Sequence, residues 1–464
     1  MTWRQSHQPR GAVLLIVIWA IAIAAVVTAS IQLFSMRQAT LGRDAVARTQ
    51  SRWAARGGVE QMLAVMETHT LLPYADDAWA MVRDMEKASS GQFQFASYDI
   101  RHHMDGRDWA GPLDEQGRLN INAADAMTLG LLRDITPDVI DAILDWRDTD
   151  EEPRPQGAEE AFYANLKFPY KPRNADFHSV AELELVAGIW PQHLRGSDWN
   201  LNNRLDPNEN DGDLSWPVDA ADGILDAGWS AWLTARSVRG GVGASGQPRL
   251  YLRDTTAEEL IERLAVAGLS EAQAQVLVAF GRQSSNTLGM LLRTPLDTIG
   301  PDGRPVQQSQ SGRRGRGGRR TAQPEQQGDS ENVVEPLSLD QLRVVFRETT
   351  MDDPAERLHG KININTVPEL FLRELFPNEQ ATVDDIVYLR ATRATGIGSM
   401  VDLLDIRGIS DQSLNILTQY FDVYSNVYTI SSVGRSEASG TQVEMIVTVD
   451  RSTLPARIVE YREQ

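Results

Sequence analysis

Residues 11–37 read GAVLLIVIWAIAIAAVVTASIQLFSMR, and no charged side chain lies between the glycine and Arg37. Roughly 25 residues at 1.5 Å of rise make a helix of roughly 37 Å, enough to cross a hydrocarbon layer of ~30 Å. A short leader with Arg4 and Arg10, MTWRQSHQPRG, precedes the run. In a secretory signal the apolar core comes before the small residue at the cleavage site. Here Gly11 comes before the core, so a cut there leaves the apolar segment on a mature chain starting at Ala12.

Downstream, SMRQATLGRDAVARTQSRWAARGGVEQMLAVME has no proline and keeps apolar residues at helical spacing, which extends the helix to about Thr70. Leu41, Val46, Trp53, Val59 and Leu63 read as a stripe that packs on a soluble domain. FQFASYDIR, from Phe93, alternates as a strand, and so do VYTISSVGR, QVEMIVTVD and ARIVEYRE between Phe421 and Glu463. The three late segments make antiparallel strands that complete the sheet begun near Phe93.

The chain has 464 residues, room for two or three domains. Its 64 acidic and 45 basic residues leave a net charge of −19, which argues against a nucleic-acid partner and for cations or basic partners. With no cysteine there is neither a disulfide nor a thiolate metal site, and either redox compartment is open. Charge reads the topology poorly: Arg37, Arg43, Arg48, Arg52 and Arg56 follow the span and would hold the C-terminal part in the cytoplasm.

Two segments occur twice. GRLNINAADAMTLGLL from Gly117 is echoed by GKININTVPELFLREL from Gly360, and SVAELELVAGI from Ser179 by SMVDLLDIRGI from Ser399. Each copy pairs an Asn-x-Asn turn, with Asn120, Asn122, Asn363 and Asn365 expected as helix caps, with a later helix that ends at Gly188 or Gly408. A helix, a Gly-Ile turn and a second helix also describe a helix-hairpin-helix module that binds phosphate through backbone amides. The hairpins here are acidic, with Glu182, Glu184, Asp402 and Asp405 against Arg407 alone, and lack the neutralising charge that phosphate binding needs.

The sharpest chemical motif is DWNLNNRLDPNE, Asp198 to Glu209. It places Asp198, Asn200, Asn202, Asp206 and Glu209 at the first, third, fifth, ninth and twelfth positions of a calcium loop, with the Arg204 carbonyl at the seventh. Alternate residues of such a loop turn oxygens inward, and the twelfth closes the shell of a hard cation. Asn203 stands where such loops have glycine, and Pro207 favours a helix start that aims Glu209 back at the ion. The following DGDLSWPVDAADGILD adds Asp211, Asp213, Asp219, Asp222 and Asp226, with a half pattern for a second ion. These carboxylates repel one another without a counterion, so calcium is expected as a structural cofactor of segment 197–229.

TTAEELIERLAVAGLSEAQAQVLVAFGR, within Tyr251–Thr294, reads as two amphipathic helices with Thr255 or Thr256 as a cap. Residues 301–336 are low-complexity and rich in Gly and Arg, a disordered linker whose 312–320 arginines are solvated. No catalytic set is legible: His102 and His103 lack a partnering motif, and there is no phosphate loop or nucleophile elbow.

The leader resembles that of type IV prepilins and type II secretion pseudopilins, which a membrane peptidase cuts after a glycine and then N-methylates. Most of that superfamily carry glutamate at the fifth mature position, where it neutralises the terminal ammonium of a neighbouring subunit. Here that position is Ile16. A buried ammonium without a partner is costly, so a subunit of this kind suits the end of a filament. Minor pseudopilin K of the type II secretion system shares the departure. DAILDWRDTDEEPRPQGAEEAFY from Asp141, followed by PYKPRNADFHSVAELELVAGI, also resembles the K family in its elements and their order.

The resemblance implies an α+β fold: a long transmembrane helix, a small antiparallel pseudopilin-type sheet, and a large α-helical domain of helix-hairpin-helix, SAM-like repeats inserted in it. The implied layout is a leader over 1–11 with processing at Gly11 and Ala12, the helix over 12–70, the first sheet part over 71–113, helical domain over 114–300, linker over 301–336, second repeat over 337–420 and closing strands over 421–464. It further implies a non-enzymatic subunit at the tip of the periplasmic pseudopilus, anchored by a single pass in the inner membrane. Its partners would be minor pseudopilins I and J, other pseudopilins, the prepilin peptidase, and the secretin or secreted cargo. The rival is a membrane-anchored helix-hairpin-helix DNA-uptake protein.

Overall fold

The computed structural model describes residues 10–73, 77–305, 334–353 and 358–464. Most of the leader, and the Gly/Arg-rich stretch over 306–333, lie outside the described residues.

A single helix runs from Arg10 to Leu71. Its first part shows Val13–Met36 to the surroundings, and by length and composition it can cross a membrane. Its second part packs on the sheet through Ala47, Ser51, Ala54, Ala55, Val59, Met62 and Met66, all buried at helical spacing. The expected stripe is thereby corrected. Val59 is buried and Leu63 half-buried, but Leu41, Val46 and Trp53 face outward, with Trp53 63% exposed.

The reason is the closeness of the packing. A Cβ added at Gly434 would sit 1.8 Å from the Ser51 carbonyl oxygen, so helix and sheet approach to a separation that only small residues allow. Ser51 Oγ donates to the Thr441 carbonyl at 2.7 Å and Ser432 Oγ to the Ala55 carbonyl at 2.8 Å, tying the layers together.

Among the described residues the sheet is antiparallel and has seven strands. Along its main path the order is Ser90–Gln92, Ala96–Met104, Val427–Ser436, Gln442–Asp450, Arg457–Glu463; Arg107–Ala110 pairs with the second strand, and Leu113–Asp114 with the third. Ser432 faces Ile100 and Ile430 faces Val447. The sheet therefore closes around chain segments from both ends, and the helical part is inserted between Asp114 and Val427. Ile100, Tyr428, Ile430, Met445, Val447 and Val449 form its core with the long helix and with Met81 and Met85 of the Ala80–Lys87 helix.

The insert has a separate, larger core built on the repeat. In the first copy Leu119–Asn120 pairs in parallel with Leu233–Thr234; in the second Ile362–Asn363 pairs in parallel with Phe421–Asp422. Asn122 donates Nδ2 to the Phe177 carbonyl at 3.0 Å and accepts the Phe177 N–H at 2.7 Å. Asn365 does the same with Ile397, at 3.0 and 2.9 Å. Arg147 reaches the Ile121 and Ala124 carbonyls, and Arg390 those of Ile364 and Val367.

These asparagines are thus not helix caps; they stitch distant loops through half-buried or buried amides, where both edges of the amide find partners. The segments before Gly188 and Gly408 are also 3₁₀ helices, Val180–Leu185 and Met400–Asp405, each started by a serine hydroxyl. Both glycines have positive φ, 81° and 76°. The two helices after Tyr251 span Ala257–Arg263 and Glu271–Arg282, and Thr256 caps the first.

Insert and sheet meet at Asp114. Its buried carboxylate accepts from Ser425 Oγ at 2.6 Å, Thr366 Oγ1 at 2.5 Å, Gln116 N–H at 2.8 Å and Asn363 Nδ2 at 3.3 Å. Burial raises its pKa against the effect of those donors.

Candidate functional site

The acidic loop begins just after the Pro191–Arg195 helix and ends in a 3₁₀ turn at Pro207–Glu209. Asp198 is fully buried and turns back into its own loop, with one oxygen accepting the Asn202 N–H and the other the Asn203 N–H, both at 3.0 Å. Asn203 adopts φ 53°, the left-handed conformation that the sixth position of such a loop requires. Asn202 Oδ1 accepts the Arg204 N–H at 2.8 Å. Asn200 and Asn202 both aim Nδ2 at Asp206 Oδ2, at 3.0 and 3.1 Å.

Glu209 folds back across the loop because Pro207 starts the turn. One of its oxygens accepts the Trp199 N–H at 3.2 Å and the other the Asp206 N–H at 3.1 Å. Asp198, Asn200, Asn202, Asp206 and Glu209 are thereby gathered around one turn of chain. The Arg204 side chain leaves it and pairs with Asp99 at 3.1 Å.

The electrostatics are those of crowded carboxylates in a desolvated place. Burial pushes Asp198 up to about 6, with the nearby Asp206 charge adding to it. Burial and the Asp198 charge push Glu209 up to about 8. Asp206 is raised by burial and by Glu444.

The second acidic stretch is arranged differently. Asp219 accepts N–H groups from Asp211, Gly212 and Ala221, at 3.1, 3.0 and 2.6 Å. Desolvation raises its pKa, but those three amides outweigh it and hold the carboxyl below the usual range. Asp211 binds Ser215, Asp222 the Ile224 N–H and Asp226 the Gly228 N–H, while Asp213 is exposed. Each of these bonded carboxylates serves a local turn.

The sequence carried no signal for how the loop attaches to the sheet. Asn202 Nδ2 donates to Glu444, Arg462 donates to the Asn200 and Leu201 carbonyls at 2.9 and 3.0 Å, and the His103 N–H to the Asn203 carbonyl at 2.6 Å. The histidine pair is structural: His103 bonds Asp108 at 2.8 Å and accepts the Leu225 N–H, and His102 bonds the Gly111 carbonyl at 3.0 Å.

Residues 117–196 match the family described as type II secretion system (T2SS), protein K. A solved structure, the crystal structure of the GspK-GspI-GspJ complex from the enterotoxigenic Escherichia coli type 2 secretion system, is similar over 91% of this chain and 99% of that one, at 10% identity and a TM-score of 0.43. No curated protein matches the sequence. The matched residues contain the first Asn-Ile-Asn turn, the Asp141–Tyr163 run and the Gly188 hairpin, and over them the chain is similar to type II secretion system protein K.

Proposed function

We propose that the protein is a minor pseudopilin at the tip of the type II secretion pseudopilus, where it starts or caps assembly for export across the outer membrane. The observation that carries this reading is a protein K segment inserted in a small sheet that rests on the extension of an apolar, membrane-length helix. A spine of that kind positions the bulky insert beyond the membrane. Ile16 in place of an acidic residue, and the size of the insert, both suit the end of a filament rather than its shaft.

In this reading a prepilin peptidase cuts after Gly11 and methylates Ala12, the helix stays in the inner membrane by a single pass, and the C-terminal part lies in the periplasm. Minor pseudopilins I and J are its partners, with the secretin or cargo beyond the tip. The outward face with Leu41, Val46 and Trp53 is available to neighbouring helices. Two measurements test this. The N-terminal mass of the extracted protein shows a methylated Ala12 start only in cells with the peptidase, and the chain co-purifies with I and J; an intact Met1 in both strains, or no complex, refutes the reading.

We also propose that calcium occupies the loop of Asp198, Asn200, Asn202, the Arg204 carbonyl, Asp206 and Glu209, as a structural ion. Three crowded carboxylates, of which Glu209 has no arginine or lysine salt bridge among the described residues, are costly to keep charged, and a divalent cation offsets that cost. Equal thermal stability in calcium and in excess chelator rules it out.

A further inference from the structure

A cavity of about 190 Å³ opens where the end of the long helix, the insert and the sheet meet. Part of its wall is the glycine-rich loop RGGVGASGQPR, 239–249. The loop fits closely: a Cβ at Gly243 would lie 2.4 Å from Glu348 Oε2, and one at Gly240 2.8 Å from Asn426 Nδ2. Glu348 accepts the Ser245 N–H at 2.8 Å and Ser245 Oγ at 2.6 Å, which holds the loop in place. The opposite side brings Arg451, just past the Gln442–Asp450 strand.

In a chain of net charge −19, the charged lining of this cavity is rich in arginine. The Arg249 guanidinium lies over the Tyr424 ring, 4.5 Å from its centre, a contact that favours one orientation of the guanidinium plane. Among the described residues the Arg249 side chain has no hydrogen bond and no salt bridge, and its Nε is buried. Arg451 donates Nε to Thr70 Oγ1 at 2.8 Å and Nη1 to the Ser425 carbonyl at 2.9 Å; its Nη2 and its charge have no partner among the described residues.

The other charged groups of the lining are engaged. Asp77 pairs with Arg83, His69 with Asp84 at 3.1 Å, and Arg347 Nε donates to the Gly398 carbonyl at 3.4 Å. Asp422 accepts the Val423 N–H at 2.8 Å and has no salt bridge among the described residues. Burial lowers the Arg451 pKa, against the charges of Tyr428 and Asp114, so a counter-anion would favour its protonated form.

The chemistry of the wall selects the anion. Guanidinium forks match a carboxylate with two parallel hydrogen bonds. Val242, Phe346 and Met400 give the same cavity apolar wall, which suits a hydrocarbon stem and not an inorganic ion. The volume is below the ~300 Å³ at which pockets for drug-sized ligands begin, so the stem is short.

We infer that this cavity binds a short-chain carboxylate through Arg249 of the insert and Arg451 of the sheet. The bound acid neutralises two guanidinium groups that have no carboxylate of their own, and it links insert to sheet. A free acid and a glutamate side chain offer this same group.

The test is ligand-observed NMR with the full-length, detergent-solubilised chain in calcium at constant ionic strength, using butyrate, N-acetylglutamate N-methylamide and inorganic phosphate as probes. Saturable binding of butyrate is expected if the ligand is a free acid, and of the blocked glutamate if it is a side chain. Arg249→Gln, which removes no hydrogen bond within the chain, is expected to weaken that binding ~10-fold or more and to abolish the rise in melting temperature that the probe gives. Arg451→Gln does the same if it folds; the Arg249 variant decides the matter if it does not. No saturable binding of either carboxylate, phosphate bound as tightly as they are, or wild-type affinity in folded Arg249→Gln protein overturns the inference.

Discussion

Asn202 on the acidic loop donates its Nδ2 to both carboxylate oxygens of Glu444 on the sheet, at 3.1 and 3.3 Å, across a separation of 242 positions. Glu444 also accepts from Ser431 Oγ at 2.5 Å and Gln464 Nε2 at 2.9 Å. The loop is therefore clamped between insert and sheet, and order in one is felt by the other. Glu444→Ala is expected to destabilise the protein by about 1–3 kcal/mol in urea unfolding. A double-mutant cycle with Asn202→Ala should return a coupling of about 0.5–1.5 kcal/mol; additive effects would mean the contact carries no energy.

If calcium fills the Asp198–Glu209 loop, the melting temperature falls on addition of chelator, and Glu209→Gln abolishes most of the difference. At a free calcium 100 times the dissociation constant the ion contributes about 2.7 kcal/mol. A chelator shift of the same size in the Glu209→Gln variant would place the ion elsewhere.

Gly434→Ala is expected to loosen the helix from the sheet. The added methyl meets the Ser51 carbonyl, a backbone atom that cannot turn aside, so the cost should be at least about 1–3 kcal/mol. Gly408→Ala has open space around it but a φ of 76°, and should cost about 1 kcal/mol. Comparing the two melts separates steric from backbone effects.

Burial pushes the His102 pKa down to about 4 even though the Gly111 carbonyl favours the protonated ring. The folded state then binds fewer protons than the unfolded state between about pH 6.5 and 4, and stability rises with pH across that window. Full burial would make the change about 3 kcal/mol; the ring is partly exposed, so a fraction of that is expected. His102→Gln should flatten the slope, and an unchanged profile would assign it to other groups.

Trp53→Ala should leave the stability of the isolated chain within about 0.5 kcal/mol, because the ring is mostly exposed. If the outward helix face packs on neighbouring subunits, the same variant loses co-purification with its partners. Wild-type recovery of partners would locate their contacts on another face.

The apolar run, the alternation of the C-terminal strands and the two repeats were all legible in sequence because each rests on local periodicity or on direct internal comparison. The fold-back of Asp198 to Glu209 was equally legible, since its turns are set by residues close in sequence. Three things were decided only by tertiary structure. The buried face of the long helix follows Ala47, Ser51 and Ala55 rather than Trp53, because the sheet's close approach favours small residues over hydrophobic ones. Asn122 and Asn365 bind Phe177 and Ile397 instead of capping helices, because folding brings those loops within reach of their amides. The contact of Glu444 with Asn202 spans 242 positions, a separation over which sequence patterns carry no information; only packing sets which charged groups lose their water.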